Sequence, residues 1–182
     1  MPTAARPAGG VAFATNGSPP ASLGPMEFAG LPLHFLVVHT AVVFTPLAAL
    51  AAGAFAVLPK WRWLSRWPTA VIVVIAFGSV WTARLSGASF LDTRPELRQL
   101  VVTHEARGEL LSYLMIGFLI VTLVAAWALG GTSALASGKG ARESVMATAP
   151  EKVLSAVLVL TALAALVQVV LTGDAGTRAV WG

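Results

Sequence analysis

The sequence predicts an all-α integral membrane protein, an up-and-down bundle of four transmembrane helices. Three observations predict it. The 182 residues are 57% hydrophobic and only 11% charged, whereas soluble domains carry about 25% charged residues. Mean hydropathy is +0.80. Four apolar runs also come close to or exceed the roughly 18–20 residues that cross a bilayer. The length suits one domain. With no cysteine in the chain, disulfides, thiolate metal ligands and catalytic thiols are excluded. The net charge of +4 does not point to nucleic acid. The basic residues are scattered and build no continuous patch, and membrane topology accounts for them better.

Residues 1–30 are rich in Ala, Gly, Pro, Ser and Thr. Their longest apolar run, Val11-Ala12-Phe13-Ala14, is shorter than the roughly 7–15-residue core of a signal peptide. A flexible N-terminal extension is expected there, followed by a four-helix domain over residues 31–182. The first span covers residues 33–58, with Pro46 expected to kink it and Pro59 to end it. Next, Lys60-Trp61-Arg62-Trp63-Leu64-Ser65-Arg66-Trp67 interleaves cations with tryptophans. Between two apolar spans that pattern reads as an interfacial belt.

The second span opens at Pro68 and covers residues 68–90. Thr93-Arg94-Pro95-Glu96 then reads as a helix start, with Thr93 as cap and Glu96 in capping-box position. Helical pattern continues to Leu129. That is about 54 Å of helix against roughly 30 Å of hydrocarbon, so the span proper is residues 108–129 and the turns before it stand outside. Residues 130–147 read as a loop. Thr148-Ala149-Pro150-Glu151 repeats the T-x-P-E start ahead of the fourth span, residues 151–172, and Gly173-Asp174-Ala175-Gly176 is expected to end it. The shared start hints at two helical pairs but is too short to establish a repeat.

Charge suggests orientation. Lys60, Arg62 and Arg66 in the first connection stand without an acid, and the third connection, with Lys139, Arg142 and Lys152 against Glu143 and Glu151, is also net positive. On the opposite side, acids and bases balance. The positive connections are therefore expected in the cytoplasm and both termini outside it. The composition, favouring alanine and arginine over lysine, would suit a GC-rich bacterium, and a bacterial inner membrane is the expected location.

Polar residues converge on one end of the bundle. His34 and His39 lie near the start of the first span and Arg84 near the end of the second. His104, Glu105 and Glu109 open the third helix, and Gln168 and Asp174 close the fourth. Ionisable groups at membrane depth cost roughly 2.5–3.5 kcal/mol each, so they usually face the bundle interior and pair. His34 and His39 diverge by about 140° on a regular helix. The deeper His39 is expected to face inward and His34 to sit at the water interface. On the third helix Gly108, one turn from His104, leaves room for a close neighbour.

Two inward histidines on different helices, His39 and His104, would suit axial ligation of a b-type haem. With His34 and Glu105 they would alternatively suit a divalent metal. Arg84 would partner a propionate, a lipid phosphate or a carboxylate. Equally, each histidine could satisfy a carbonyl or carboxylate and hold no cofactor. Gln168 is expected to hydrogen-bond across the bundle. No nucleophile elbow, P-loop or dinucleotide fingerprint occurs. His104-Glu105 begins like a zinc-protease motif, but Gly108 stands where the second histidine belongs. A catalytic enzyme is the least expected reading, since no nucleophile or general base stands out.

Leu31-Pro32-Leu33-His34 with His39 five residues on, His104-Glu105-Ala106-Arg107-Gly108, and Thr172-Gly173-Asp174-Ala175-Gly176 together resemble a bacterial four-helix membrane family, domain of unknown function 2231. Phe35 stands where members often have Pro, and Thr40-Ala41 where they often have Phe-Pro. The resemblance implies family positions at His34, His39, His104, Glu105, Gly173 and Gly176. It also implies a redox setting, since members are sometimes fused to Rieske or cytochrome c modules. Two functions are therefore expected. One is a redox membrane subunit holding haem b or a metal. The other is a cofactor-free accessory subunit of a larger respiratory or other membrane complex, with small-residue faces at Ala48, Ala49, Ala51, Ala52 and Gly53 and at Ala162, Ala164 and Ala165 as contacts.

Overall fold

The computed structural model describes residues 27–28, 31–129 and 148–182. Most of the N-terminal extension and the connection at residues 130–147 lie outside the described residues. A two-residue antiparallel pairing of Glu27–Phe28 with Leu31–Pro32 precedes the first helix. Among the described residues four helices follow: α1 at Leu33–Val57, α2 at Arg62–Thr93, α3 at Arg98–Ala128 and α4 at Ala149–Trp181. Single 3₁₀ turns at Pro59–Trp61 and Pro95–Leu97 join the first three. All four helices are long and apolar enough to cross a membrane. The chain is an all-α, multi-pass integral membrane protein.

Short connections make sequential helices antiparallel neighbours. α1 packs on α2 and α4, and α3 packs on the same two, so α1 and α3 stand at opposite corners. Lipid supplies no hydrophobic drive between helices, so close packing must. The interior follows that rule. Ala48, Ala52, Ala76, Ala125 and Ala165 are fully buried, around Phe55, Met115, Phe118 and Leu158. Larger apolar side chains such as Val43, Leu50, Leu160 and Val170 point outward, where acyl chains would surround them.

The buried faces repeat. Ala41, Thr45, Ala48, Ala52, Phe55 and Ala56 of α1 correspond, 70 residues on, to Leu111, Met115, Phe118, Thr122, Ala125 and Ala126 of α3, and all are buried. Thr69, Val73, Ala76, Ser79, Val80 and Ser86 of α2 correspond in the same way, 89 residues on, to Leu158, Ala162, Ala165, Gln168, Val169 and Ala175 of α4. The bundle is thus two helical hairpins, α1–α2 and α3–α4, packed in matching register. The shared T-x-P-E segments do not mark this repeat, since they precede α3 and α4, which belong to the same hairpin.

Three expected boundaries move. α2 begins at Arg62 rather than Pro68, so the Trp/Arg stretch forms its first two turns. Pro68 there deletes one bond, to the carbonyl of exposed Leu64, which headgroups or water can satisfy. Arg62 is buried. Its Nε donates to the Phe55 carbonyl at 3.2 Å, and one terminal nitrogen donates to Ala56 O at 2.7 Å and Ser155 Oγ at 2.9 Å. One guanidinium thereby closes the end of α1 and ties it to α4.

Thr93 does not cap α3. It is the last residue of α2, and its hydroxyl donates to Phe90 O at 2.8 Å. α3 starts at Arg98 without a side-chain cap. Thr148 does cap α4, in a capping box with Glu151. Finally, Gly173-Asp174-Ala175-Gly176 does not end α4, which continues to Trp181. Asp174 and Arg178 pair one turn apart on the exposed surface of this extension.

Candidate functional site

α1 has 25 residues against 31–33 in the other helices. In the 70-residue register α1 starts level with residue 103 of α3, so the tip of α3 stands about 7.5 Å of helical rise beyond it. His34, the second residue of α1, sits at this step. The stripe that buries Ala41, Ala48 and Thr45 passes through His34, seven residues before Ala41, because seven residues are close to two turns. On α3 the stripe through Leu111 and Met115 passes through His104 by the same spacing.

The two imidazoles meet inside the bundle. Their ring centroids lie 6.4 Å apart with the planes at 82°. Each ring is held by a helix of its own hairpin. His34 Nδ1 donates to the Ala83 carbonyl of α2 at 2.9 Å, and His104 Nδ1 donates to the Thr172 carbonyl of α4 at 3.0 Å. A carbonyl only accepts, so each Nδ1 carries the proton and each Nε2 keeps its lone pair while the ring is neutral. Neither Nε2 has a hydrogen-bond partner among the described residues.

Glycine makes these contacts possible. A helical side chain covers the turn N-terminal to its own Cα, so the residue at i+4 shields the carbonyl of residue i. Here those residues are Gly87, four beyond Ala83, and Gly176, four beyond Thr172. A Cβ at Gly87 would stand 3.0 Å from His34 Cε1, and one at Gly176 would stand 3.0 Å from His104 Nδ1. Both rings lie in notches where an added Cβ would press on the imidazole.

Polar contacts set the surrounding layer. Gln168 Nε2 donates to Arg107 O at 3.0 Å, joining α4 to α3 as expected, and Thr172 Oγ1 donates to Gln168 O at 2.7 Å. Gly108 lies against α4, where a Cβ would meet Thr172 Cγ2 at 3.9 Å. Arg84 takes a carboxylate partner, Glu109 of α3, at 2.9 Å, with its guanidinium over the rings of Trp81 and Tyr113.

The expected orientation of the first histidine pair is reversed. His39 is exposed, and its Nδ1 donates to Phe35 O of its own helix at 2.6 Å. His34 is the residue that meets His104. Depth was the wrong guide, because the stripe of small residues fixes the rotation of α1. Glu105 is exposed, and among the described residues no three acidic or histidine side chains gather as a metal site. The set His34, His39, His104 and Glu105 is therefore not brought together. Gly87 and Ala83 were not singled out in the sequence, and Thr172 only as the first residue of a motif. A histidine seven residues ahead of a small-residue stripe, with a glycine on the facing helix, is the signal that carries them. No family profile, curated protein or solved structure matches the chain.

Proposed function

We propose that this membrane protein is a redox subunit that holds a b-type haem between His34 and His104, at the extracytoplasmic end of its bundle. The observation that carries the reading is the pair of imidazoles fixed by Nδ1–H bonds to backbone, with both Nε2 atoms unpartnered among the described residues. Histidines that ligate metals commonly donate their other ring nitrogen to a carbonyl in this way. The spacing also fits. Metal–nitrogen bonds of about 2 Å put each ring centroid roughly 3 Å from the metal, so two opposed imidazoles would have centroids roughly 6–6.5 Å apart. The observed value is 6.4 Å.

Ligand number favours haem over a lone divalent ion. A bis-histidine haem takes two axial ligands from the protein, the number that His34 and His104 supply, whereas a structural ion such as zinc takes four ligands. When bound, a bis-imidazole haem supplies one-electron transfer. The chain's own part is to orient the two rings and surround them with apolar helix. Similarity to the family of domain of unknown function 2231 belongs to this proposal, as does a bacterial inner membrane.

A second reading, the cofactor-free accessory subunit, is favoured by a lipid-facing groove of about 300 Å³ between α1 and α4, lined by Ala49, Gly53, Ala54 and Ala162 among others. Small residues of that kind admit a helix of another subunit. The two readings separate on pigment content. Protein expressed with a haem precursor and purified in mild detergent should carry one haem per chain. Colourless protein that also fails to bind added haemin would leave the accessory reading in its place.

A further inference from the structure

We infer that the histidine site is one device built twice, and that Gly87 and Gly176 are the positioning residues of its two halves. Each half is an imidazole from the first helix of a hairpin, the carbonyl that receives its Nδ1–H on the second helix, and a glycine one turn beyond. His34, Ala83 and Gly87 make one half; His104, Thr172 and Gly176 make the other. The inference rests on the preceding reading only for what lies between the rings.

Two independent features agree. The chemistry is the same in each half, down to the four-residue step from carbonyl to glycine. The offsets are also those of the buried faces: 70 residues carry His34 to His104 as they carry Ala41 to Leu111, and 89 carry Gly87 to Gly176 as they carry Val73 to Ala162. α1 and α3 run in the same direction, so the hairpins are parallel repeats related by an axis along the bundle. Such an axis delivers the two imidazoles from opposite corners at one depth. The ligand class that suits them has two equivalent coordination positions on opposite sides, as a haem iron does.

The glycines are not general spacers. A Cβ at Gly53, Gly78, Gly117 or Gly173 would meet nothing within 4 Å, and among the described residues only Gly87 and Gly176 would press on a histidine ring. Glycine weakens a helix relative to alanine, so an alanine at either notch should help the helix and harm the ring.

A pair of double-mutant cycles on the full chain in detergent tests this. Thermal unfolding is measured for wild type, Gly87→Ala, His34→Ala and the double variant, and likewise for Gly176 with His104. Each glycine substitution should lower Tm when its histidine is present and raise it when that histidine is alanine. Gly173→Ala, on the same helix as Gly176, should not lower Tm in either background. In ¹⁵N-histidine NMR, Gly87→Ala should move the Nδ1 signal of His34 and spare that of His104, with the converse for Gly176→Ala. If Gly87→Ala does not fold, the double variant with His34→Ala must fold at least as well as His34→Ala alone. Equal effects in both backgrounds would overturn the positioning role. Reversal in only one half would overturn the duplication. Colourless protein that still shows both reversals would sink only the haem reading, whereas haem-loaded protein without them would sink only this one.

Discussion

His34 and His104 stand on helices at opposite corners of the bundle, yet their imidazoles meet at 82° with centroids 6.4 Å apart. The meeting is imposed by backbone. Each ring is anchored through Nδ1 to a neighbouring helix, so neither depends on the other for its orientation. Replacing one histidine should therefore leave the opposite ring in place.

Arg84 and Glu109 border this layer on α2 and α3. Both side chains are partly exposed, 29% and 52%, so their coupling in a double-mutant cycle should be small, at most about 1 kcal/mol. Arg84→Ala should lower Tm slightly and leave the His34 and His104 resonances unshifted. A large movement of those resonances would place Arg84 inside the site.

The two T-x-P-E segments should behave differently. Thr148→Ala removes the cap of α4 and should cost about 1 kcal/mol, whereas Thr93→Ala removes no cap and should cost far less. Unfolding of the two variants in parallel checks this. Equal losses would contradict the described start of α3.

Arg62 should be the most sensitive residue at the opposite end. It serves two carbonyls of α1 and a hydroxyl of α4, and hydrogen bonds to charged groups contribute about 1.5–3 kcal/mol each. Arg62→Ala should lose at least about 2 kcal/mol, and Arg62→Lys should recover only part, since an ammonium lacks the planar fork. The nearby, exposed Lys60→Ala serves as the control and should be close to neutral.

Orientation is testable in a chain without cysteine. Ser65, half-buried, and Thr93, exposed, lie at opposite ends of α2. With the positive connections in the cytoplasm, an impermeant thiol reagent applied to intact cells should label Thr93→Cys and spare Ser65→Cys. The reverse pattern would invert the protein.

Much of this was legible in the sequence because lipid leaves few choices. Apolar length alone gave four helices, and the cost of burying ionisable groups pointed to the end of the bundle where His34 and His104 meet. Helix rotation was harder to read. His39 is deeper than His34, and depth argued for turning it inward. The stripe Ala41, Thr45 and Ala48 decided otherwise, because in lipid the small residues choose the packed face. Glycine was misread for a related reason. Gly173 and Gly176 looked like a helix end, as they often would in water, but inside a bundle Gly176 is a place for an imidazole. The roles of Ala83 and Thr172 were not legible, since they act through backbone carbonyls that any residue possesses.

The central claim is that His34 and His104, and not His39, form the binding pair. The most direct test is the reduced-minus-oxidised absorbance spectrum of the purified protein and its three histidine-to-alanine variants, all expressed with a haem precursor. The wild type and His39→Ala should show the bands of a low-spin, bis-histidine b haem, and His34→Ala and His104→Ala should each lose them. A spectrum that survives His34→Ala but disappears in His39→Ala, or a wild type without haem bands, would contradict the account.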